Sequence, residues 1–165
     1  VVVERAAETL RTFSFTTAGG NLLTGKVDAR IELNSTDITK SSVTATIDTS
    51  TVDTGVAARD NDLRSPNFFD VAQFPTAAFT STAVTKTANG FSVTGNLTLH
   101  GVTQPVTLIV EGPNGPVSGA GGKQHAGFSA TTTISRAAFG IAAKMPTAMV
   151  GDEIKLTIDL DVVKQ

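Results

Sequence analysis

The alternation of charged and apolar residues with a period of two limits the folds open to this chain more than any other feature. In residues 26–33, Lys26, Asp28, Arg30 and Glu32 alternate with Val27, Ala29, Ile31 and Leu33. Successive side chains of an extended strand point to opposite faces, so the charges share one face and the apolar groups the other. The last stretch repeats the pattern, with Ile154, Leu156, Ile158, Leu160 and Val162 set against Lys155, Thr157, Asp159 and Asp161. The same period runs through Phe13/Phe15, Val43/Ala45/Ile47, Phe91/Val93/Gly95/Leu97/Leu99 and Phe128/Ala130/Thr132/Ile134.

With 77–85 and 102–110 added, the reading is about eight strands, separated by turn signals such as Ala88-Asn89-Gly90 and Val150-Gly151-Asp152. Strands solvated on one face imply an antiparallel sheet. Eight of them make either a sandwich or an up-and-down barrel, and a barrel of that size holds side chains or one small ligand. The 26 Thr residues support this class, because β-branched side chains suit a pleated surface. Gly95 falls mid-strand on the apolar face, which marks a bend or the close approach of another group.

At 165 residues the chain reads as a single domain, 1–165. It is 40% hydrophobic and 17% charged, with a formal charge of -2. That composition excludes disorder and phosphate-driven nucleic-acid binding. No apolar run is long enough for a membrane span. The absence of Cys excludes disulfides, thiol catalysis and Cys-ligated metals. The chain starts at Val1 rather than Met, so the expectation is that a leader or a tag has been removed, with export as the plausible history.

Two segments interrupt the strands. Residues 50–76 are too long for a hairpin; Val56–Arg64 suits a short helix, and Ser65-Pro66 suits an N-cap and first residue of another. A long excursion of this kind in a compact β domain is usually functional, often a lid. The second segment, Gly112–Gly127, reads as a flexible hairpin loop.

Signatures of catalysis are scarce. Pro116 breaks a nucleophile elbow around Ser118, and Val117 and Gln124 break a phosphate loop around Gly122-Lys123. His100 and His125 are far apart, so no multi-histidine metal site is available. His100, at a strand end before Gly101, reads as a structural hydrogen-bonding residue. An enzyme would need it to act with Asp60 or Asp62 as an acid/base pair, and no spacing supports that.

The nine Phe are more informative, because there is no Trp or Tyr. Three of them, Phe68, Phe69 and Phe74, lie in the excursion, and the rest lie on or beside strands. Rings without hydroxyl or indole N–H groups suit a hydrocarbon-lined interior. A lid with three Phe could then close one end of an apolar cavity, which predicts a long hydrocarbon ligand.

The residues also resemble a known family. Val43-Thr44-Ala45-Thr46-Ile47-Asp48, Ser50-Thr51-Val52-Asp53-Thr54-Gly55, Arg59-Asp60-Asn61-Asp62-Leu63-Arg64-Ser65, Phe68-Phe69-Asp70 and Phe74-Pro75 follow one another in the order of the YceI-like family. Gly95-Asn96-Leu97-Thr98-Leu99-His100-Gly101-Val102-Thr103, Ile134-Ser135-Arg136 and Phe139-Gly140-Ile141 resemble its later signatures, over about residues 12–163 in all. The resemblance implies an all-β, extended lipocalin-like antiparallel barrel that holds an amphiphile, typically a polyisoprenoid or isoprenoid quinone. It also implies a bacterial periplasmic or secreted setting, with the cytoplasm as the other option, and a monomer or homodimer. At the N-terminus, Val1–Arg11 lacks the His of the family's usual opening.

The leading expectation is therefore noncatalytic lipid binding, for transport or storage, with no cofactor, no metal and no nucleic-acid partner. Its expected walls are Phe13, Phe15, Phe68, Phe69, Phe74, Leu97, Leu99, Phe128, Ile134 and Phe139, each with ordinary core packing as its plain alternative. Arg59, Asp60, Asp62, Arg64 and Arg136 are expected either to fasten the excursion to the barrel as ion pairs or to meet a polar head group, as is His100. The rival reading is a secreted β-sandwich interaction module with a filled core.

Overall fold

One-sided strands bury their apolar faces by pairing into a sheet and turning those faces away from water. The computed structural model shows this for residues 3–6, 11–17, 22–34, 36–118 and 124–163, with only the backbone described for 3–25, 33, 114–117 and 161–163 within those stretches. Nine antiparallel strands form a single sheet: β1 (Val3–Ala6), β2 (Arg11–Thr17), β3 (Leu22–Asn34), β4 (Ser42–Asp53), β5 (Thr76–Thr87), β6 (Gly90–Leu99), β7 (Val102–Ser118), β8 (Gln124–Ser135) and β9 (Glu153–Val163). The one α-helix among the described residues, α1 (Ala57–Arg64), lies in the excursion between β4 and β5.

The eight expected strands correspond to β2–β9, and β1 is the addition. Ile31 pairs with both Ala6 and Val43, and Val27 with both Arg11 and Ile47. β1 and β2 therefore share the edge of β3 that faces away from β4. From β3 the pairings pass through β2, β9, β8, β7, β6 and β5 to β4, and β4 pairs with β3.

Two expectations need correction. Residues after Ser65-Pro66 form turns rather than a second helix. Ser65 instead ends α1, with its N–H on the Asp62 carbonyl at 3.0 Å, and Phe69 N–H returns to the Leu63 carbonyl at 2.9 Å. The chain thus folds back over the helix end before a new helix can start. The segment 112–127 is mostly strand: β7 runs to Ser118 and β8 begins at Gln124. Gly112, Pro113, Gly115 and Pro116 are absorbed by register shifts between Glu111 and Asn114 and between Asn114 and Val117, because proline has no N–H for the ladder.

Turn chemistry elsewhere follows the sequence. His100 and Gly101, at φ 52° and 72°, make a two-residue loop between the paired Leu99 and Val102. Positive φ at both loop positions matches the right-handed twist of the flanking strands. Gly95 is a point of close approach: a Cβ there would lie 2.5 Å from Phe79 Cζ and 2.5 Å from the Thr80 carbonyl oxygen. Among the described residues, no helix is long and apolar enough to cross a membrane.

Candidate functional site

The inward faces of β3–β9 do not fill the space between them. A cavity remains, with about 80 Å³ open to the centres of water molecules. Seven strands contribute to its wall, among them Val27 on β3, Ile47 on β4, Phe79 on β5, Val93 on β6, Leu108 on β7 and Leu156 on β9. Ser41 and Thr132 are the only polar residues in the described lining. Along β6 the lining extends from Phe91 to Leu97, roughly 20 Å at about 3.3 Å per residue.

The two ends differ. At the end where the chain crosses from β3 to β4 through the 3-10 turn Ile38–Lys40, the lining residues Ile38, Val43, Phe91, Val110 and Leu160 are half-buried. At the α1 end, Phe69, Leu97, Leu99, Ile134 and Phe139 are all buried. A second, smaller cavity of about 20 Å³ lies there, lined by Asp48, Thr49, Val52, Phe69, Ala77 and Leu99 together with Ile47, Leu97 and Leu156. Those last three line both cavities.

The excursion is held to the α1 end by polar contacts of an unexpected kind. Arg64 Nε donates to the Ser50 carbonyl at 2.8 Å, and the same guanidinium donates to the Val52 carbonyl, both on β4. Asp60, buried on α1, accepts from Thr54 N–H at 2.9 Å and Thr54 Oγ1 at 2.5 Å, and Arg59 Nε donates to that same Thr54 Oγ1 at 2.8 Å. The Thr54 hydroxyl and N–H, with the nearby Arg64 and Arg59 charges, outweigh burial and hold the Asp60 carboxyl below its ordinary value. Asp62 accepts from Asn67 Nδ2 at 3.0 Å. Further on, Thr49 Oγ1 donates to the Phe74 carbonyl at 2.8 Å.

Arg136 is buried, and its guanidinium donates to the carbonyls of Gly151, Ile141, Ala142, Met145 and Val150 at 2.5–3.1 Å. These bonds pin the loop between β8 and β9. His100 Nδ1 lies 3.3 Å from the Phe139 carbonyl, and its ring centroid is 4.7 Å from that of Phe74. The excursion and the β6–β7 turn are thus locked together by a ring contact.

Of the expected wall residues, Leu97 and Phe128 line the larger cavity, and Phe69, Leu97 and Leu99 line the smaller. Ile134 and Phe139 are core residues that line neither, and Phe68 packs against the core half-buried. Phe74 is half-buried against His100. Phe13 and Phe15 sit on β2 opposite Ile158 and Leu156, with side chains outside the described residues. Arg59, Asp60, Arg64, Arg136 and His100 line neither cavity. Sequence reasoning passed over Phe79, Phe91, Val93 and Leu108 as site residues, although period-two alternation already placed Phe91 and Val93 on the apolar face. Among the described residues, no three metal-binding side chains come together.

Residues 3–162 match the model of the YceI-like domain. The chain belongs to the YceI-like family. Among YceI-like relatives, a UPF0312 protein of Pseudomonas fluorescens is 40% identical over 110 residues, covering 66% of this chain and 55% of the relative. One from Serratia proteamaculans is 38% identical over 140 residues, covering 83% of this chain and 70% of the relative. The chain therefore spans 55% and 70% of the lengths of these two relatives. Among solved structures, the Campylobacter jejuni YceI protein superposes with a TM-score of 0.75 at 29% identity, over 84% of this chain and 81% of that one. A polyisoprenoid binding domain from Saccharophagus degradans shares the fold with a TM-score of 0.61 at 15% identity, over 99% of this chain and 100% of that one.

Proposed function

We propose that this YceI-like protein is a noncatalytic carrier that holds the hydrocarbon part of an amphiphilic lipid, a polyisoprenoid or isoprenoid quinone, in its apolar interior. The circuit of pairings from β2 to β9 supports reading the sheet as an extended lipocalin-like barrel with the larger cavity as its lumen. The observation that carries the proposal is the chemistry of that lining. A buried water needs two to four polar partners, and Ser41 and Thr132 are the only polar residues among those described in the lining. Hydrocarbon asks for none, and each Å² of it removed from water contributes about 25 cal/mol before association and ordering costs.

On this reading Leu97 and Phe128 touch the ligand. Arg59, Asp60, Arg64, Arg136 and His100 serve the scaffold rather than a head group, since the partners they meet include backbone carbonyls, Thr54 and Phe74. The shared fold of a polyisoprenoid binding domain supports the ligand class. The family resemblance supports a periplasmic or secreted bacterial carrier, used for transport or storage.

Native mass spectrometry of protein purified without delipidation from its own host tests this reading. The expected result is a bound lipid of isoprenoid mass, with the subunit number read from the same spectrum. Absence of any lipid, together with failure of an added prenyl alcohol to bind, would falsify the carrier and favour the filled interaction module.

A further inference from the structure

We propose that Phe69 is the stop that ends the ligand tunnel and thereby sets the length of hydrocarbon chain the protein accepts. This inference rests on the carrier reading and extends it to chain-length selection. The larger cavity does not end at a flat core: Ile47, Leu97 and Leu156 line both it and the smaller cavity, so the two spaces meet across three aliphatic side chains. Beyond that constriction, Phe69 is the lining residue that comes from the excursion rather than from the sheet. It is 7% exposed, so little solvent reaches it from outside.

A residue can act as a length stop only if it does not yield, and the backbone around Phe69 is tied on both sides. Its own N–H donates to the Leu63 carbonyl at 2.9 Å, and Asp70 N–H to the Ser65 carbonyl at 2.9 Å. Phe74 N–H donates to the Asp70 carbonyl at 2.8 Å, while Gln73 Nε2 holds the Asp70 carboxylate at 2.6 Å. Arg64, at the end of α1, anchors the same segment to β4.

The polarity of the tunnel sets which part of the lipid meets Phe69. Ser41 lies beside the 3-10 turn at the half-buried end, where its Oγ accepts from Asn34 N–H at 3.0 Å, and its own proton meets no acceptor among the described residues. At the α1 end, the smaller cavity is walled mainly by Val52, Phe69, Ala77, Leu97 and Leu99, and its two polar lining residues are already engaged, Asp48 Oδ1 accepting from Ser50 N–H at 3.0 Å and Thr49 Oγ1 donating to the Phe74 carbonyl at 2.8 Å. The head group therefore stays near Ser41, and the chain terminus points at Phe69.

Delipidated protein would be offered an equimolar mixture of farnesol, geranylgeraniol and solanesol, and the bound masses read by native mass spectrometry. Phe69→Ala is expected to raise the ratio of long-chain to short-chain complex about tenfold, the effect of burying roughly two more CH₂ groups. Ala77→Leu, which fills the smaller cavity from β5, is expected to lower that ratio. It also serves as the deciding variant if Phe69→Ala does not fold. An unchanged ratio in folded Phe69→Ala, or in Ala77→Leu when that is the variant that folds, overturns the stop while leaving the carrier intact. Binding of none of the three alcohols to the parent protein overturns both.

Discussion

A guanidinium has five N–H donors and no acceptor, and burying it is tolerable only if each donor meets an oxygen. Arg136 achieves this with backbone carbonyls of the 141–151 loop in place of a carboxylate. Lysine offers a single ammonium that cannot reproduce the fork. Arg136→Ala is therefore expected to cost about 3 kcal/mol in urea denaturation, and Arg136→Lys to recover less than half of that. Asp60 illustrates the same bonding from the acceptor side. Its folded pKa is lowered, first by the Thr54 hydroxyl, so its contribution to stability is present above the unfolded value near 3.8 and fades as pH falls through the folded value. Asp60→Asn should thus be less stable than the parent at neutral pH. The gap should narrow as pH drops below about 3.8, measured by denaturation at a series of pH values; a gap independent of pH would show that the carboxylate charge is irrelevant.

Strands β5 and β6 come together where Phe79 lies across Gly95, and this contact tests how tightly the wall is built. A methyl group at Gly95 would sit 2.5 Å from both a ring carbon and the Thr80 carbonyl oxygen. The ring could rotate away, but the backbone oxygen could not. Gly95→Ala is expected to cost about 1–3 kcal/mol, and adding Phe79→Leu should restore only part of it, as a double-mutant cycle would measure. The strands themselves were legible in the sequence because each buries one face, which leaves a period of two in residues such as 26–33 and 154–162. β1 was not, since four residues carry too little pattern. In the 112–127 hairpin, Gly and Pro signal a loop locally, while pairing with β8 overrides them. In the site, Phe is the more conspicuous residue type, yet most of the described cavity lining is aliphatic. Ile134 and Phe139 share the apolar character of Leu97 but lie outside both linings, and only register and curvature separate core from wall. The partners of Arg136 left no sequence signal, because a backbone carbonyl looks the same in every residue.

For the molecule as a whole, the carrier and the filled module differ in how they respond to added volume. Ala130 on β8 is 6% exposed, lines the larger cavity, and stands opposite Val110 on β7 and Ile158 on β9. In a filled core, Ala130→Phe would overpack the interior at a cost of about 1–3 kcal/mol or more. In a molecule with an open lumen, the ring enters existing space, so the ligand-free variant should stay within about 1 kcal/mol of the parent. The same ring occupies the path of the lipid. A saturating ligand stabilises the protein that binds it by about 2.7 kcal/mol at a hundredfold excess over Kd, so added geranylgeraniol should raise the parent's melting temperature and leave that of Ala130→Phe unchanged. A variant that is strongly destabilised without ligand would mean that no usable lumen exists. A variant that stays stable and is still stabilised by the alcohol would place the binding site outside the cavity, because one ring in so narrow a space leaves no room for a chain to pass.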